Sequence, residues 1–482
     1  MRRKMVSGIM LSLLGMLTLM FSIQPVLRAQ KTSVVVGWAY PLTGPLAITA
    51  ATHHLYYQMI VDDYNAKGGL NVPGYGMLPI EVIAEDDEFD PARSLTLIEK
   101  LITEDQVDLL FAPWGTAFNV AALPLYEQYH FPVVGLTVGS NQLSDLLSSG
   151  TYKYFFVTLA QPREDAEQLV ELIQYINDEI ASPDQTISRA GFAYRSDEHG
   201  IEHGEAMRDG LLAAGIEVPV WDSYDWMVPP ADWTPQINKF RDADLDVVIL
   251  SGYDEGANFV HQCITQDYNP KMLFIGPTME CPFLVYGPFG FTPGEMAGIC
   301  YYNGWPATTY DTPELEAWVE HHIDYAGYQP FPASAVFYSG LECLFDAVEE
   351  HGLDRELIRD ALANDTFDTL VGTFKFNAGL GPTVEGHGSL TQWQGGDMMD
   401  VVWPLDAATG EVIYPKYPWS WAAMPDLNRD GIINIVDISM AAVAFGSEPG
   451  HPRWNPTCDV NGDGTVNIVD IAAIAVEFGE TV

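Results

Sequence analysis

From residue 34 onward the chain alternates short apolar runs with longer stretches whose apolar positions recur at helical spacing. Residues 34–38, 78–84, 107–112, 132–136, 154–158, 190–194 and 246–251 read as buried strands. Between them lie amphipathic helices. One over 91–104 has Pro91 at its first turn, and one over 164–179 opens on acidic residues. Apolar runs without polar alternation, separated by helices, predict parallel sheets covered on both faces. The alternation continues for more than ~250 residues, too long for one such core, so two α/β lobes are expected. Around 404–425 the texture changes to Pro, Trp and Tyr, which predicts a Pro/Trp-rich linker over 405–425 or a tail strapped to the body. A small helical module follows over 426–482.

That module contains an internal repeat. Residues 426–446 and 459–479 match at 13 of 21 positions, and each copy opens D-x-N-x-D-G-x-x-N-x-x-D. Oxygen donors at loop positions 1, 3, 5, 9 and 12, with a backbone carbonyl at 7, wrap a calcium ion, and glycine at 6 allows the sharp turn. The spacing predicts two Ca2+ sites. The first uses Asp426, Asn428, Asp430, the Ile432 carbonyl, Asn434 and Asp437. The second uses Asp459, Asn461, Asp463, the Thr465 carbonyl, Asn467 and Asp470. Position 12 is Asp where an EF-hand carries Glu, so each ion must sit close to the following helix. Two Asp-terminated loops, each running into a short helix, resemble a type I dockerin module. The resemblance implies a cohesin-like module as partner. Positions 10 and 11, usually hydroxyl-bearing in cellulosomal dockerins, are Ile435-Val436 and Ile468-Val469 here. That departure points to a different cohesin, an apolar docking face, or packing on the main body.

The N-terminus predicts export. Arg2, Arg3 and Lys4 precede an apolar run over residues 5–23, and Leu27-Arg28-Ala29 offers a small-residue exit, which reads as a signal peptide over 1–29. The run is long enough that an uncleaved membrane anchor is the alternative. The expected location is extracellular or at the cell surface. Net charge is −44, and removing the first 29 residues, which carry four cations and no acid, deepens it by four. Such a chain repels nucleic acid and anionic lipid, so neither is expected as a partner. Of the five cysteines, Cys281 and Cys300 flank a Pro/Gly-rich loop and could bridge, whereas Cys263 and Cys343 read as buried thiols.

The large domain resembles the type I periplasmic binding proteins of branched-chain amino acid and amide ABC importers. The segments that carry the likeness, in order, are VVVGWAYPLTGPLA, NAKGGL, IEVIAEDDEFDPARSLTLIEKLI, VDLLFAPWGTAFNVAALPLYEQYHFPVVG, AGFAYRSDEHG, DVVILSGYDEGANF, LFIGP and GTFKFNAGLGP. The resemblance implies two interleaved lobes over 31–404, with crossings near 158 and 285. It also implies capture of a small solute (an amino acid, an amide or a related acid) for the membrane subunits of an ABC importer. The implied ligand contacts are Trp114, Thr116, Thr137 and Ser140 in the first lobe and His199 and Tyr253 in the second. His199-Gly200 stands where the family has Tyr-Gly, and Thr278 stands at the family's acidic position, leaving Asp254, Glu255 and Glu280 as candidate partners for an ammonium. No enzyme signature is expected. His199, Glu202 and His203 formally match an inverted zinc motif, but no third ligand has distinctive spacing. Two other classes remain open: a dockerin-tethered hydrolase, for which the Asp86-Asp87 pair could serve as acid and base, and a ligand-binding sensor ectodomain.

Overall fold

In the computed structural model the described residues are 31–304, 312–331, 333–376, 389–395, 399–419, 425–427, 432–448, 451, 453–460 and 465–479. The signal peptide over 1–29 and the predicted calcium ligands Asn428, Asp430, Asn461 and Asp463 lie outside them.

Strand Val34–Tyr40 is apolar on both faces and pairs in parallel with Ile80–Asp86 on one side and Leu109–Leu110 on the other. Val133–Gly135 and Phe155–Val157 form a further parallel pair. One face of this first-lobe sheet is covered by helices Ala47–Ala66 and Ser334–His351, which bury Tyr56, Ile60, Leu341 and Phe345 with Val34, Val36 and Trp38. The other face is covered by Pro91–Thr103 and Thr116–Tyr129 through Ile98, Leu101, Ala122 and Leu123. Helix Pro91–Thr103 starts where the sequence places it, with Asp90 capping the Ala92 and Arg93 amides.

The second lobe holds a seven-stranded sheet. Five strands run parallel in the order Ile299–Gly304, Met272–Ile275, Val247–Ser251, Arg189–Arg195 and Glu217–Tyr224. Ser389–Trp393 and Met399–Trp403 extend the first edge as antiparallel strands. Separate apolar clusters pack on its two faces.

The chain passes to the second lobe between Val157 and Pro162, near the expected crossing. It returns to the first lobe only after Ile299–Gly304, not near residue 285, because Val285 packs in the second-lobe core and a fifth parallel strand still follows. A third crossing, absent from the expectation, carries the chain from the hairpin Phe367–Thr369 and Gly372–Phe374 back to Ser389–Trp393. Much of the expected linker is strapped down: Trp419 is buried in the second-lobe core and donates to the Tyr268 carbonyl at 2.9 Å, and the Lys416 amide donates to the Lys271 carbonyl at 2.7 Å. All five cysteines are free and buried. Cys281 packs into the first-lobe cluster and Cys300 into a second-lobe cluster, so the bridge that the sequence left open is not formed.

Candidate functional site

Parallel sheets aim the loops after their strands toward one edge, and here both lobes present that edge to each other. Along the meeting line lies a cavity walled by both lobes. From the first lobe its wall takes Trp114, Gly115 and Thr116, which follow Leu109–Leu110, and Thr137 and Gly139, which follow Val133–Gly135. From the second it takes His199, Tyr253, Thr278 and Glu280, each just beyond a strand end. Five of the six ligand positions expected from sequence therefore share one cavity. The lobes are in contact across it. The Trp114 and Tyr253 rings lie 5.3 Å apart, and the Phe89 and Trp226 rings 5.9 Å apart in an edge-to-face arrangement.

Ser140 is the exception. It does not reach the cavity wall, and its hydroxyl caps helix Asn141–Ser148 by accepting from the Leu143 amide at 3.0 Å. The anion position at this helix start is taken by a carboxylate of the opposite lobe. Glu202 accepts from the Ser140 hydroxyl at 3.1 Å, from the Gln142 amide at 3.3 Å, and from the Asn141 amide. The same engagement removes Glu202 from any zinc chemistry. His203 Nε2 faces Asp165 at 3.3 Å with both side chains fully buried, and its Nδ1 meets the His199 carbonyl at 3.0 Å. Asp86 is likewise committed to a turn, accepting from the Leu42, Thr43 and Glu88 amides.

The hydroxyls of Thr116 and Thr137 are also engaged. Thr137 Oγ1 accepts from the Gly115 amide at 2.9 Å, and Thr116 Oγ1 accepts from the Gly139 amide at 3.2 Å. The two loops thereby brace each other. Behind Tyr253, the Arg195 guanidinium lies 3.8 Å over the ring, buried between Asp197 at 2.9 Å and Glu255 at 3.4 Å. Burial pushes the Glu280 carboxyl up to about 8, with Asp254 adding to the effect. Burial also raises Asp254 to about 6; Asp254 accepts from Thr49 of the first lobe at 2.6 Å. Burial lowers His53 to about 4 and holds His199 well below the ordinary range, so both rings are neutral. Thr278 has φ +97°, a strained conformation for a β-branched residue, beside Glu280 in the wall.

In the C-terminal module the two repeats have the same local geometry. Asn434 and Asn467 each cap a helix, Ile435–Ala444 or Ile468–Val476, and Asp437 and Asp470 close the reciprocal contact at 2.7 Å. Asp437 and Asp470 are fully buried, and Asp426 nearly so. The Asn434 side-chain amide donates to the Ile432 carbonyl at 2.8 Å and the Asn467 side-chain amide to the Thr465 carbonyl at 2.9 Å, so loop positions 7, 9 and 12 converge in both copies. The donor set is carboxylate, amide and carbonyl oxygen throughout, which suits a hard cation. Ile435, Val436, Ile468 and Val469 are exposed and are not packed on the main body in this structure.

Residues 33–397 match the family model for periplasmic binding proteins, more than half of the chain. The chain belongs to the periplasmic binding protein family. Residues 424–478 match the dockerin type I domain. The Leu/Ile/Val-binding protein homolog 7 of Brucella suis is 23% identical over 405 residues, covering 80% of this chain and 95% of that relative. The branched-chain amino acid transporter substrate binding protein LivJ from Streptococcus pneumoniae superposes with a TM-score of 0.63 at 16% identity, covering 80% of this chain and 100% of that one. A solute binding protein of an ABC transporter from R. palustris gives 0.64 at 16% identity, covering 80% and 98%. The fold is thus the two-lobed binding-protein fold followed by a dockerin module, and the family consists of binding proteins rather than enzymes.

As a periplasmic binding protein, the chain draws part of its cavity from places that sequence order hides. His53 comes from a helix interior, and Phe331 and Phe337 come from a segment nearly 200 residues beyond Ser140. No local signal marks them, because each reads as ordinary helix or core. Glu280 was legible as a carboxylate two residues past the family position. Among the described residues, no helix is long and apolar enough to cross a membrane.

Proposed function

We propose that this binding protein captures a small solute between its lobes outside the cytoplasm, delivers it to an ABC importer, and attaches to a cohesin-like module through its calcium-loaded dockerin. The single observation that carries the capture reading is the cavity between the lobes, built from strand-end loops of both and bridged by ring contacts between them. Its largely aromatic wall with a few convergent polar groups suits a small organic molecule. The names of the relatives support an amino acid or a small aromatic compound: one is a Leu/Ile/Val-binding protein homolog, and two similar structures hold isoleucine and benzoate. Trp114, Thr116, Thr137, His199 and Tyr253 are the proposed contacts. The signal over 1–29 is the proposed route of export, and the oxygen donors of the two repeats are the proposed calcium ligands. When bound, calcium would neutralise the converging carboxylates of each loop. The exposed Ile-Val pair of each repeat supports an apolar docking face rather than a hydroxyl-bearing one.

The test is a thermal-shift screen of amino acids, amides, amines and carboxylic acids on the full chain, followed by small-angle scattering with each hit. A ligand class that raises the melting temperature and compacts the protein is the expected result. Turnover of that ligand, or no compaction with any class, would refute the reading.

A further inference from the structure

Resting on that binding role, we infer that the cavity selects a ligand carrying a protonated amine and makes no use of a carboxylate. The argument begins with what the wall offers to a negative charge. Among the described residues, no Lys or Arg lines the cavity. Arg195, the nearest guanidinium, is sealed behind Tyr253 and already matched by Asp197 and Glu255. His53 and His199 are neutral, and His203 is directed at the buried carboxylate of Asp165.

Several of the donors that could hold a ligand carboxylate are used by the protein itself. The start of helix Asn141–Ser148 is filled by Glu202, through the Ser140 hydroxyl and the Asn141 and Gln142 amides. The Gly115 amide donates to Thr137, and the Thr116 hydroxyl is tied to Gly139. What remains for an anion is neutral, namely the Thr137 and Tyr253 hydroxyls, a His199 ring nitrogen and the first turn of helix Thr116–Tyr129, partial charges rather than full ones. A buried carboxylate without a cation is costly, and a net charge of −44 repels an anionic ligand at long range.

What the wall offers to a positive charge is the converse. Glu280 is a buried carboxyl in the wall that accepts the Thr278 amide and, among the described residues, faces no cation. Burial keeps it protonated near neutral pH in the empty cavity, and an ammonium bound beside it would favour loss of that proton. Asp254 lies close enough to add to its field. The remaining surface is largely aromatic: Trp114, Tyr253, Tyr301, Tyr302, Phe331 and Phe337. Ring faces attract a desolvated ammonium and accept its apolar substituents at the same time. The pairing in this cavity is thus one acid and a set of rings, which fits an organic ammonium ion with an apolar or aromatic body.

The experiment is calorimetric titration of the full chain with matched compounds that differ at one group. One series is 3-phenylpropionate, phenylalanine, phenylalaninamide and phenethylamine; the other is 4-methylpentanoate, leucine, leucinamide and isoamylamine. We expect the amines and amino-amides to bind at least tenfold more tightly than the matched acids, and no worse than the amino acids. Glu280→Gln should weaken the amines at least tenfold while leaving the circular dichroism unchanged. If the acids bind and the amines do not, or if the amino acids exceed both amine and amide by tenfold or more, the inference is wrong while the solute-binding role stands. Amine affinity unchanged in Glu280→Gln would also overturn it. The order of the matched compounds on the unmodified protein decides the question even if the variant does not fold. If neither series binds and no solute class of the wider screen compacts the protein, both the inference and the binding role fall.

Discussion

Glu280→Gln should make the unliganded protein more stable at neutral pH, the reverse of what removing a buried polar group usually does. The carboxyl has an ordinary value of 4.5 and sits at about 8 in the fold, chiefly because burial penalises its charged form. A carboxyl raised in the folded state contributes fully below 4.5 and loses its contribution as pH rises toward 8. Between those limits the unfolded chain releases a proton that the folded chain keeps. The cost grows by about 1.4 kcal/mol per pH unit, reaching about 3 kcal/mol at pH 7. Glutamine keeps the oxygen that accepts the Thr278 amide and removes the titration. The variant should therefore match the wild type near pH 5 and melt several degrees higher near pH 7.5, as read by calorimetry without ligand. Comparing the variant with the parent at each pH cancels the contributions of other groups, such as His53, His54 and His322, which burial lowers to about 4. A variant less stable than the parent at pH 7.5, or offset equally at both pH values, would refute the burial argument. The same substitution should weaken amine binding, so stability and function should move in opposite directions. A general packing defect would lower both.

Calcium should fold the dockerin module. A core of about eight small apolar residues, among them Leu427, Ile433, Val466 and Ile474, supplies little by itself, so residues 424–482 should gain helical circular dichroism in millimolar calcium and lose it in chelator, with Asp437→Ala or Asp470→Ala each weakening the response. Tyr253→Ala should weaken ligand binding by about tenfold or more, because it removes a ring stacked between Arg195 and the cavity, and calorimetry with the best hit of the screen measures it. Glu202→Ala should lower the closed fraction, because it deletes the acceptor of three first-lobe donors; scattering without ligand should show a larger radius of gyration, and an unchanged radius would show the contact to be incidental. Leu341→Ala, in the fully buried core of the first lobe, should cost about 2–5 kcal/mol, measured by chemical denaturation.

The sheets were legible because their strands are buried on both faces and so read as uninterrupted apolar runs. Val247–Ser251, buried at every position, falls within one residue of the expected strand. The lobe crossings were less legible because a strand does not announce which sheet it joins. Ile299–Gly304 extends the parallel order of the second lobe, while Ser389–Trp393 returns from the first lobe to pair with it from the other side. The cleft residues Trp114, Thr116, Thr137, His199 and Tyr253 were legible for a geometric reason: each follows a strand, and strand ends converge. Ser140 satisfied the same rule and still lies outside the cavity lining. A hydroxyl that caps a helix and one that holds a ligand look alike in sequence, and the partner that decides between them, Glu202, lies 62 residues on. That carboxylate belongs to a short His-Glu-His pattern whose chemistry, taken locally, suggests a metal. Its actual role follows from the opposing helix start, where three donors converge on it. The charge of a binding site is therefore not the sum of its local motifs. Here the protein supplies its own anion at one helix start and leaves a carboxyl without a cation at the facing wall, and both facts favour a cationic ligand.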